Sequence, residues 1–428
     1  MTDSDTASGN QTRAPGFERW WQLILGVICM SMIANLQYGW TLFVNPIEDK
    51  HHWGLAAIQV AFSIFVIIET WLVPFEGYLV DKYGPKLVGV ASGVLVAAAW
   101  VINANANSLP MLYLGAIVGG IGAGGVYGAC VGNALKWFPD RRGLAAGITA
   151  MGFGAGSALT VYPIANMIQK QGYEAAFLKF GLAQGIVVFL LGWLLKAPDA
   201  SVKIVARANK SVATSRRETK PMEMLKSPAF WVMFVMFVLT ATGGLMITAQ
   251  LKPIAKDFGI DKSQATLAGF TVMALPFALS VTRVLNGVTR PFFGWISDMI
   301  GRENTMVIAF LGEAGAFLLL RWFGAGPAAF VLIACLVFFC YGEIYSLFPA
   351  AAADSYGKKY ASANAGLLYT AKGVASLIVP ASSYISAHFG GWNGVFFAMA
   401  LMNVIAAVMA LVLLKPMRAR LIAAEAAS

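Results

Sequence analysis

Twelve long apolar stretches, here called windows, follow one another along the chain, six before and six after a basic polar segment. A helix needs about 20 residues to cross the hydrocarbon core of a bilayer, and most windows reach that length. None alternates polar and apolar residues with a period of two, so the pattern favours helices over the strands of a barrel. The windows lie near residues 20–44, 55–80, 87–103, 109–135, 144–168 and 174–196, and near 229–255, 264–296, 304–324, 327–351, 361–386 and 391–414.

The windows predict an all-α membrane protein with twelve transmembrane helices in two six-helix bundles. The segment between the sixth and seventh windows is polar and rich in lysine and arginine, which is typical of a cytoplasmic linker. The predicted division of the chain is a disordered cytoplasmic tail over 1–19, an N-terminal bundle over 20–196, the linker over 197–228, a C-terminal bundle over 229–414 and a second cytoplasmic tail over 415–428.

The composition narrows the class of protein. Of the 428 residues, 58% are hydrophobic and 12% are charged, and the mean hydropathy is +0.68. A soluble domain is about 45–50% apolar and about 25% charged, so a soluble enzyme, a disordered protein and a nucleic-acid-binding domain are excluded. The net charge of +10 reflects topology. With both termini in the cytoplasm, the inner loops and ends hold about three times as many lysines and arginines as the outer loops.

Cysteines and histidines offer no chemistry for catalysis or metal binding. The four cysteines all lie inside windows and lack the spacing of metal ligands, which indicates small buried hydrophobic side chains. The three histidines lie outside the windows, so no buried histidine-based centre is available. We therefore expect no enzymatic activity, no catalytic residues, no cofactor and no metal.

The second and eighth windows end in the same motif, G-x-x-x-D-x-x-G, about half the chain apart. A motif repeated at equivalent positions of two six-helix halves indicates parallel structural repeats. The glycines allow close helix approach, and the aspartates can cap a helix N-terminus or pair with a basic residue across the interface. We expect a gating and structural role, without substrate contact, for Gly77, Asp81, Gly84, Gly294, Asp298, Gly301 and Arg302.

This layout resembles the major facilitator superfamily over essentially the whole chain. The resemblance implies alternating access by rocking of the two halves around one central site. Further motifs look like those of the bacterial oxalate:formate antiporter family. These motifs are Asn35-Leu-Gln37-Tyr38-Gly-Trp40, Val126-Tyr127-Gly128, the stretch 133–143, Arg290-Pro-Phe-Phe-Gly294, Tyr345-Ser-Leu-Phe-Pro349 and Tyr369-Thr-Ala-Lys372. The substrate ligands that this resemblance implies, an arginine in the eighth helix and a lysine in the eleventh, map onto Arg290 and Lys372.

Three cations, Arg283, Arg290 and Lys372, lie inside windows. A basic residue at the centre of a membrane helix costs roughly 2.5–3.5 kcal/mol, so these side chains should face a wet interior or an anionic partner. Arginine grips a carboxylate with two N–H groups, whereas lysine is a point charge. The pair Arg290 and Lys372 suits a small dicarboxylate held at both ends, and also a monocarboxylate that needs only one cation. For Arg283, two turns from Arg290, one interpretation is a structural pair with Glu69 or Glu343.

Acidic side chains also lie inside windows, at Glu69, Glu76, Glu313 and Glu343. Glu343 stands between two tyrosines in the tenth window, which the resemblance places at the cavity. A carboxyl beside the cation pair can neutralise it in part or carry a proton, so Glu343 is the candidate coupling residue. We interpret Glu69 as a member of a structural ion pair, and Glu76 as structural.

Aromatic and amide side chains are predicted to wall the site. Tyrosine hydroxyls can donate hydrogen bonds to a small anion while their rings exclude water. The resemblance places the helices that carry them at the cavity, and ordinary helix packing is the alternative interpretation. The predicted substrate-binding residues are Arg290, Lys372, Gln37, Tyr38, Tyr127, Tyr341, Tyr345 and Tyr369.

Two functions fit these residues. The first is exchange of small carboxylates, oxalate inward and formate outward, because two cations match a dianion. The second is proton-coupled symport of a monocarboxylate such as lactate, pyruvate or formate, with Glu343 reducing the site to a single positive charge. A channel is disfavoured by the repeat of two halves and by the absence of a filter-like ring.

The expected partners are small carboxylate anions (oxalate and formate), protons under the second hypothesis, and the lipid bilayer. No nucleic acid is expected as a partner. The chain is expected to act as a monomer in the bacterial cytoplasmic (inner) membrane, with both termini cytoplasmic.

Overall fold

The computed structural model describes residues 16–199, 214–215, 217–388 and 391–426, and these are helical nearly throughout. Ten helices are long and apolar enough to cross a membrane, and an eleventh crossing is a pair of helices, Leu55–Trp71 and Val73–Tyr83, bent by 40°. The remaining long helix, Ala274–Ile300, has 27 residues. At 1.5 Å per residue its length of about 40 Å also suffices to cross a bilayer. These twelve crossings match the predicted number, and they are called spans 1–12 below.

Spans 1–6 form the first half of the molecule. Three of them are interrupted: span 1 after Tyr38, span 2 at Leu72, and span 5 at a short 3₁₀ turn. The spans are Gly16–Tyr38 with Thr41–His51 (span 1), Leu55–Trp71 with Val73–Tyr83 (span 2), Pro85–Ala104 (span 3), Leu109–Trp137 (span 4), Arg142–Ala155 with Gly156–Leu159 and Val161–Gln171 (span 5), and Tyr173–Gly192 (span 6).

Spans 7–12 form the second half, preceded by the short helix Pro221–Met224. Span 10 breaks at Gly342, immediately before the buried Glu343. The spans are Pro228–Asp257 (span 7), Ala274–Ile300 (span 8), Arg302–Phe323 (span 9), Pro327–Tyr341 with Ile344–Tyr356 (span 10), Ala361–His388 (span 11), and Trp392–Met409 with the π-helical turn Ala410–Leu414 and Lys415–Ala426 (span 12).

The eighth window does not begin as a helix, contrary to the prediction for 264–296. Its first ten residues form an antiparallel hairpin of two strands, β1 (Gln264–Leu267) and β2 (Phe270–Met273). The turn between them places Ala268 at φ 48° and Gly269 at φ 85°, values that a right-handed helix cannot contain. Short apolar runs do not distinguish a strand from a helix, which is why the window was predicted too long.

Both predicted tails are partly helical. Span 1 begins at Gly16, inside the tail predicted over 1–19, while the residues before it lie outside the described part of the chain. At the other end, the tail predicted over 415–428 is helical as far as Ala426. Its Arg418 is buried, forms an ion pair with Glu303 of span 9 and donates to the Ser355 hydroxyl at 2.7 Å. These contacts with the second half extend the helix beyond the apolar window.

The repeated motif joins the two halves at one end of the molecule. Asp81 accepts hydrogen bonds from the backbone N–H groups of Ser362 (3.3 Å) and Ala363 (2.9 Å), in the first turn of span 11. Its counterpart Asp298 accepts from the N–H groups of the first turn of span 5, at 3.0 and 2.9 Å. Each aspartate thus caps a helix of the opposite half, where the unpaired N–H groups favour negative charge. This end is called the motif side below.

Glycines in the motif permit this close approach. A Cβ placed on Gly77 would lie 2.6 Å from the backbone of Ser362, and one on Gly294 would lie 2.1 Å from the Gly143 carbonyl oxygen. The turns that follow the helices need a left-handed backbone, which Gly84 (φ 87°) and Gly301 (φ 95°) supply.

Buried ion pairs reinforce the motif side. Asp354, at the end of span 10, accepts from Arg142 of span 5 at 2.7 Å and from Arg302 of span 9 at 2.8 Å. Arg302 also pairs with Asp298 at 2.6 Å. The other aspartate of the repeat, Asp81, pairs with Lys136 of span 4 at 2.6 Å. Positive and negative side chains are therefore matched where the halves meet.

Candidate functional site

Arg290 lies at the centre of span 8 with no exposed surface. Its Nε donates to the Asn286 backbone carbonyl at 3.0 Å, one terminal nitrogen donates to the Asn286 side-chain oxygen at 2.6 Å, and the other donates to the Ala150 carbonyl of span 5 at 2.8 Å. A guanidinium has five N–H groups, so one remains on each terminal nitrogen. No acidic side chain within the described ranges forms an ion pair with Arg290, which leaves its charge uncompensated.

Lys372 lies in span 11, also buried, and its three N–H donors are all used. The Nζ donates to Gln37 of span 1 at 3.2 Å, to the Tyr369 hydroxyl at 2.8 Å and to the Glu69 carboxylate of span 2 at 3.2 Å. The Tyr369 hydroxyl donates in turn to the other Glu69 oxygen at 2.8 Å. Lysine, tyrosine and glutamate therefore form a closed ring that spans the interface between the halves.

The side chains of Arg290 and Lys372 both lie near the ring of Tyr345 in span 10. The centre of its ring lies 4.3 Å from the Arg290 guanidinium carbon and 5.9 Å from the Lys372 nitrogen. The face of an aromatic ring attracts cations, most strongly where water is excluded. Two side chains that are far apart in the sequence thus converge on the same aromatic wall.

Other aromatic side chains complete that wall. Tyr127 stacks on Tyr369 with ring centres 4.0 Å apart, and Phe153 lies between Tyr38 (5.4 Å) and the Lys372 nitrogen (5.3 Å). The hydroxyl of Tyr127 is buried and has no hydrogen-bond partner among the described residues. Since a buried hydroxyl without a partner is costly, it indicates a position where a ligand oxygen would be stabilised.

The structure brings together the eight residues predicted to bind substrate. Gln37 reaches Lys372, Tyr38 packs on Phe153, and Tyr341 reaches the site through a hydroxyl-to-hydroxyl contact of 2.8 Å with Tyr345. The motif residues instead make contacts with the opposite half at the motif side.

Arg283 and Glu343 do not form the ion pairs that the sequence suggested for them. Arg283 makes no ion pair with Glu69, Glu343 or any other acid in the described part of the chain, and its guanidinium lies 5.4 Å from the ring centre of Tyr38. Glu343 is buried, but it makes no ion pair with Lys372, and no side-chain donor within the described segments reaches its oxygens. Glu313 lies beside Gly243 in the second half.

Glu69 is the site residue that the sequence interpretation missed. It was interpreted as a member of a structural ion pair, and it does form a buried ion pair, but its partner is the predicted substrate ligand Lys372, which places its carboxylate in the site at 0% exposure. When all three are ionised, Arg290, Lys372 and Glu69 together sum to one positive charge. The available signal was an acid in the middle of the second window, in a chain whose buried cations need counter-charges.

Comparisons with known proteins agree with this architecture. A sequence model of the Major Facilitator Superfamily matches residues 23–380 and 240–427. The chain is 34% identical over 393 residues to the oxalate:formate antiporter of Oxalobacter formigenes, covering 92% of this chain and 90% of that protein.

Solved structures show the same fold at low sequence identity. The transporter FucP in the outward conformation superposes with a TM-score of 0.68 at 14% identity, covering 92% of this chain and 98% of that one. The proton:xylose symporter XylE superposes with a TM-score of 0.69 at 14% identity, covering 93% and 95%.

Proposed function

Because the chain belongs to the major facilitator superfamily, and within it to the oxalate:formate antiporter family, we propose that it exchanges oxalate for formate by alternating access around Arg290 and Lys372. It is a membrane transporter of two six-helix halves, not an enzyme. The observation that carries the proposal is the convergence of both cations on the ring of Tyr345.

The chemistry of the site suits a small carboxylate. Arg290 retains one N–H on each terminal nitrogen, and the Tyr127 hydroxyl has no hydrogen-bond partner among the described residues, so a bound anion would find donors already in place. Lys372 can also bind the substrate once a substrate oxygen replaces one of the three acceptors that its Nζ now contacts.

Charge gives a reason for exchange. Without an anion the closed site holds a buried positive charge that no acid neutralises among the described residues, and such a charge costs several kcal/mol. The halves would therefore rock readily only with an anion bound, which couples the outward passage of one carboxylate to the inward passage of another.

The loop charges orient the transporter. More lysines and arginines lie on the motif side and at the termini than on the opposite side, so the motif side is assigned to the cytoplasm, with both termini cytoplasmic. We assign the protein to a bacterial inner membrane, as a monomer divided into bundles over 20–196 and 229–414 and joined by a linker over 197–228.

A second candidate is proton-coupled symport of a monocarboxylate. The pairing of Glu69 with Lys372 favours it, because a proton bound by Glu69 would release Lys372 to hold a single carboxylate, and proton and carboxylate would then cross together. In this version Glu69 takes the coupling role first given to Glu343.

Counterflow in proteoliposomes tests the proposal. Labelled oxalate should accumulate in vesicles loaded with oxalate or formate, and should not need an imposed pH gradient. Lys372→Ala and Arg290→Ala should each lower this uptake by about 100-fold or more, because each removes a buried charge that faces the substrate. Lys358→Ala is the matched control, since Lys358 is exposed in the turn before the same helix.

Two results would contradict the proposal. Either alanine variant could retain most of the uptake, which would remove that cation from the site. Alternatively, lactate or pyruvate could accumulate under a pH gradient while internal formate has no effect, which would favour the symporter.

A further inference from the structure

We propose that Asn286 is a positioning residue that fixes the orientation of the Arg290 guanidinium, and that its amide leaves the charge of this arginine available to an anion. A carboxylate at the same position would itself become the partner of the arginine. This inference rests on the proposed function, in which Arg290 binds the substrate.

Asn286 holds Arg290 at two points. Both residues are buried in span 8, with Asn286 four positions before the arginine. Its backbone carbonyl accepts from the arginine Nε at 3.0 Å, and its side-chain oxygen accepts from one terminal nitrogen at 2.6 Å. A guanidinium only donates hydrogen bonds, so the side-chain atom that faces it must be the carbonyl oxygen of the amide. Two contacts on one planar group restrict its rotation.

A third contact and close packing complete the hold on the guanidinium. Its other terminal nitrogen donates to the Ala150 carbonyl of span 5 at 2.8 Å. The ring centre of Tyr345 lies 4.3 Å from the guanidinium carbon, and a Cβ placed on Gly154 would lie 3.0 Å from the same atom. The guanidinium therefore has little room to turn, and the N–H groups left on its terminal nitrogens keep one orientation. Two such donors suit the two oxygens of one carboxylate.

All three acceptors of the guanidinium are neutral. Amide and backbone carbonyl oxygens accept from the N–H groups without cancelling the charge, whereas a carboxylate would do both. The arginine is thus held in place and retains its attraction for an anion. Lys372 differs, because one of its acceptors is the Glu69 carboxylate. The residue at position 286 therefore controls whether Arg290 can bind a substrate.

Several charged groups surround Arg290, and the prediction does not depend on their sum. Asn286→Asp leaves all of them in place. It replaces an amide by a carboxylate of nearly the same shape, whose oxygen would lie where the amide oxygen now accepts at 2.6 Å. Native protein and variant therefore differ by one negative charge beside the guanidinium. The surrounding groups are Glu343 of span 10, which interacts electrostatically with Arg290, Lys372 with its partner Glu69, and Arg283 of span 8.

Thermal unfolding of the purified transporter in detergent, with and without oxalate, tests the inference. A ligand that binds only the folded protein raises its unfolding temperature. Asn286→Asp should need about 100-fold or more oxalate to reach the shift of the native protein, because the new carboxylate occupies the arginine. Without oxalate, Asn286→Asp should unfold at a higher temperature than Asn286→Ala, since the aspartate supplies a partner that alanine removes.

Asn286→Ala separates orientation from charge. It removes one hydrogen bond to the guanidinium but adds no negative charge. In proteoliposomes the KM for oxalate and for formate should each rise about tenfold, with the maximal rate within about threefold of the native value. The alanine variant should thus be the less stable of the two but the better binder. A residue with a merely structural role would show the opposite order, because binding would fall together with stability.

Asn304→Asp is the matched control. The side-chain oxygen of Asn304 also accepts from a cation, Lys415, at 3.1 Å, but both residues are exposed and lie outside the central site. The same exchange of an amide for a carboxylate should there leave oxalate binding and transport unchanged.

Two results would overturn the inference alone. In one, Asn286→Asp binds oxalate as tightly as the native protein. In the other, Asn286→Ala binds oxalate more weakly than Asn286→Asp. If Asn286→Asp does not fold, the KM of Asn286→Ala decides, and an unchanged KM contradicts the inference. Failure of the native protein to bind either oxalate or formate would instead overturn the proposed function.

Discussion

The motif side and the central site both bury charged residues, but they balance them differently. At the motif side Asp81, Asp298 and Asp354 each have a basic partner. At the centre, Lys372 has Glu69, while Arg290 has no acid partner in the described part of the chain. At the motif side, residues of the chain itself supply the partner of each of these aspartates, so this side can close without a ligand. In the second region, one cation has no acidic partner among the described residues, which is the property that a carrier of anions requires.

The largest effect is expected from removing a charge at the motif side, where the buried aspartates have basic partners. Asp354→Asn would leave Arg142 and Arg302 buried with less compensation, and removal of one partner of a buried pair costs about 3–5 kcal/mol. We expect the apparent unfolding temperature in detergent, followed by tryptophan fluorescence, to fall by several degrees, and transport to fall with it.

The control for this change is an exposed ion pair. Glu223 lies 3.9 Å from Arg217, and both side chains are largely in solvent. Glu223→Gln should alter stability by no more than about 0.5 kcal/mol. An unfolding temperature for Asp354→Asn that matches this control would mean that the motif side does not depend on its buried charges.

A smaller effect is expected from the removal of Arg283. This change tests whether a second arginine of span 8, besides Arg290, acts on the substrate. This half-buried arginine lies two turns from Arg290 on span 8, away from the motif side, and has no ion pair among the described residues. Its charge should raise the local concentration of anions approaching Arg290. Arg283→Ala should raise KM several-fold, leave the maximal rate within about twofold, and lose its effect as salt is added.

Arg321→Ala is the matched control for this prediction. Arg321 also lies over an aromatic ring, at 6.0 Å from the centre of Phe397, but it is in span 9 and distant from the cluster. An unchanged KM for Arg283→Ala at low salt would show that this residue does not attract the substrate.

The smallest effect is expected from Glu343. Its carboxyl is buried but makes no ion pair with either central cation, and no described side chain donates to it. The neutral, equally large amide of Glu343→Gln should therefore change exchange rates less than about twofold. A loss of pH dependence in this variant would return the coupling role to Glu343 and remove it from Glu69.

Much of the fold followed from local pattern. The apolar windows predicted every crossing, because burial in lipid imposes long hydrophobic runs that any stretch of sequence reveals by itself. The repeated motif likewise indicated two equivalent halves. The hairpin over 264–273 was missed, since an apolar run reads the same in either conformation and positive φ values at Ala268 and Gly269 leave little trace in composition.

The site was predicted only in part, and Glu69 shows why. Arg290 and Lys372 were found because a buried cation is conspicuous in an apolar window, and the family resemblance named both as ligands. Their partners could not be deduced in this way, and Glu343 was favoured because of its tyrosine neighbours. The acid that pairs with Lys372 is 303 residues away, in the other half.

The sequence by itself determined that this protein crosses the membrane twelve times, in two related halves with cations inside. Hydrophobicity acts residue by residue along a helix, so the linear pattern suffices for that conclusion. Only the tertiary structure decided which acid faces Lys372, and that Arg290 keeps an uncompensated charge within the described residues. Electrostatic pairing depends on distances of a few ångströms between helices that are remote in sequence, and the packing of the two halves sets those distances.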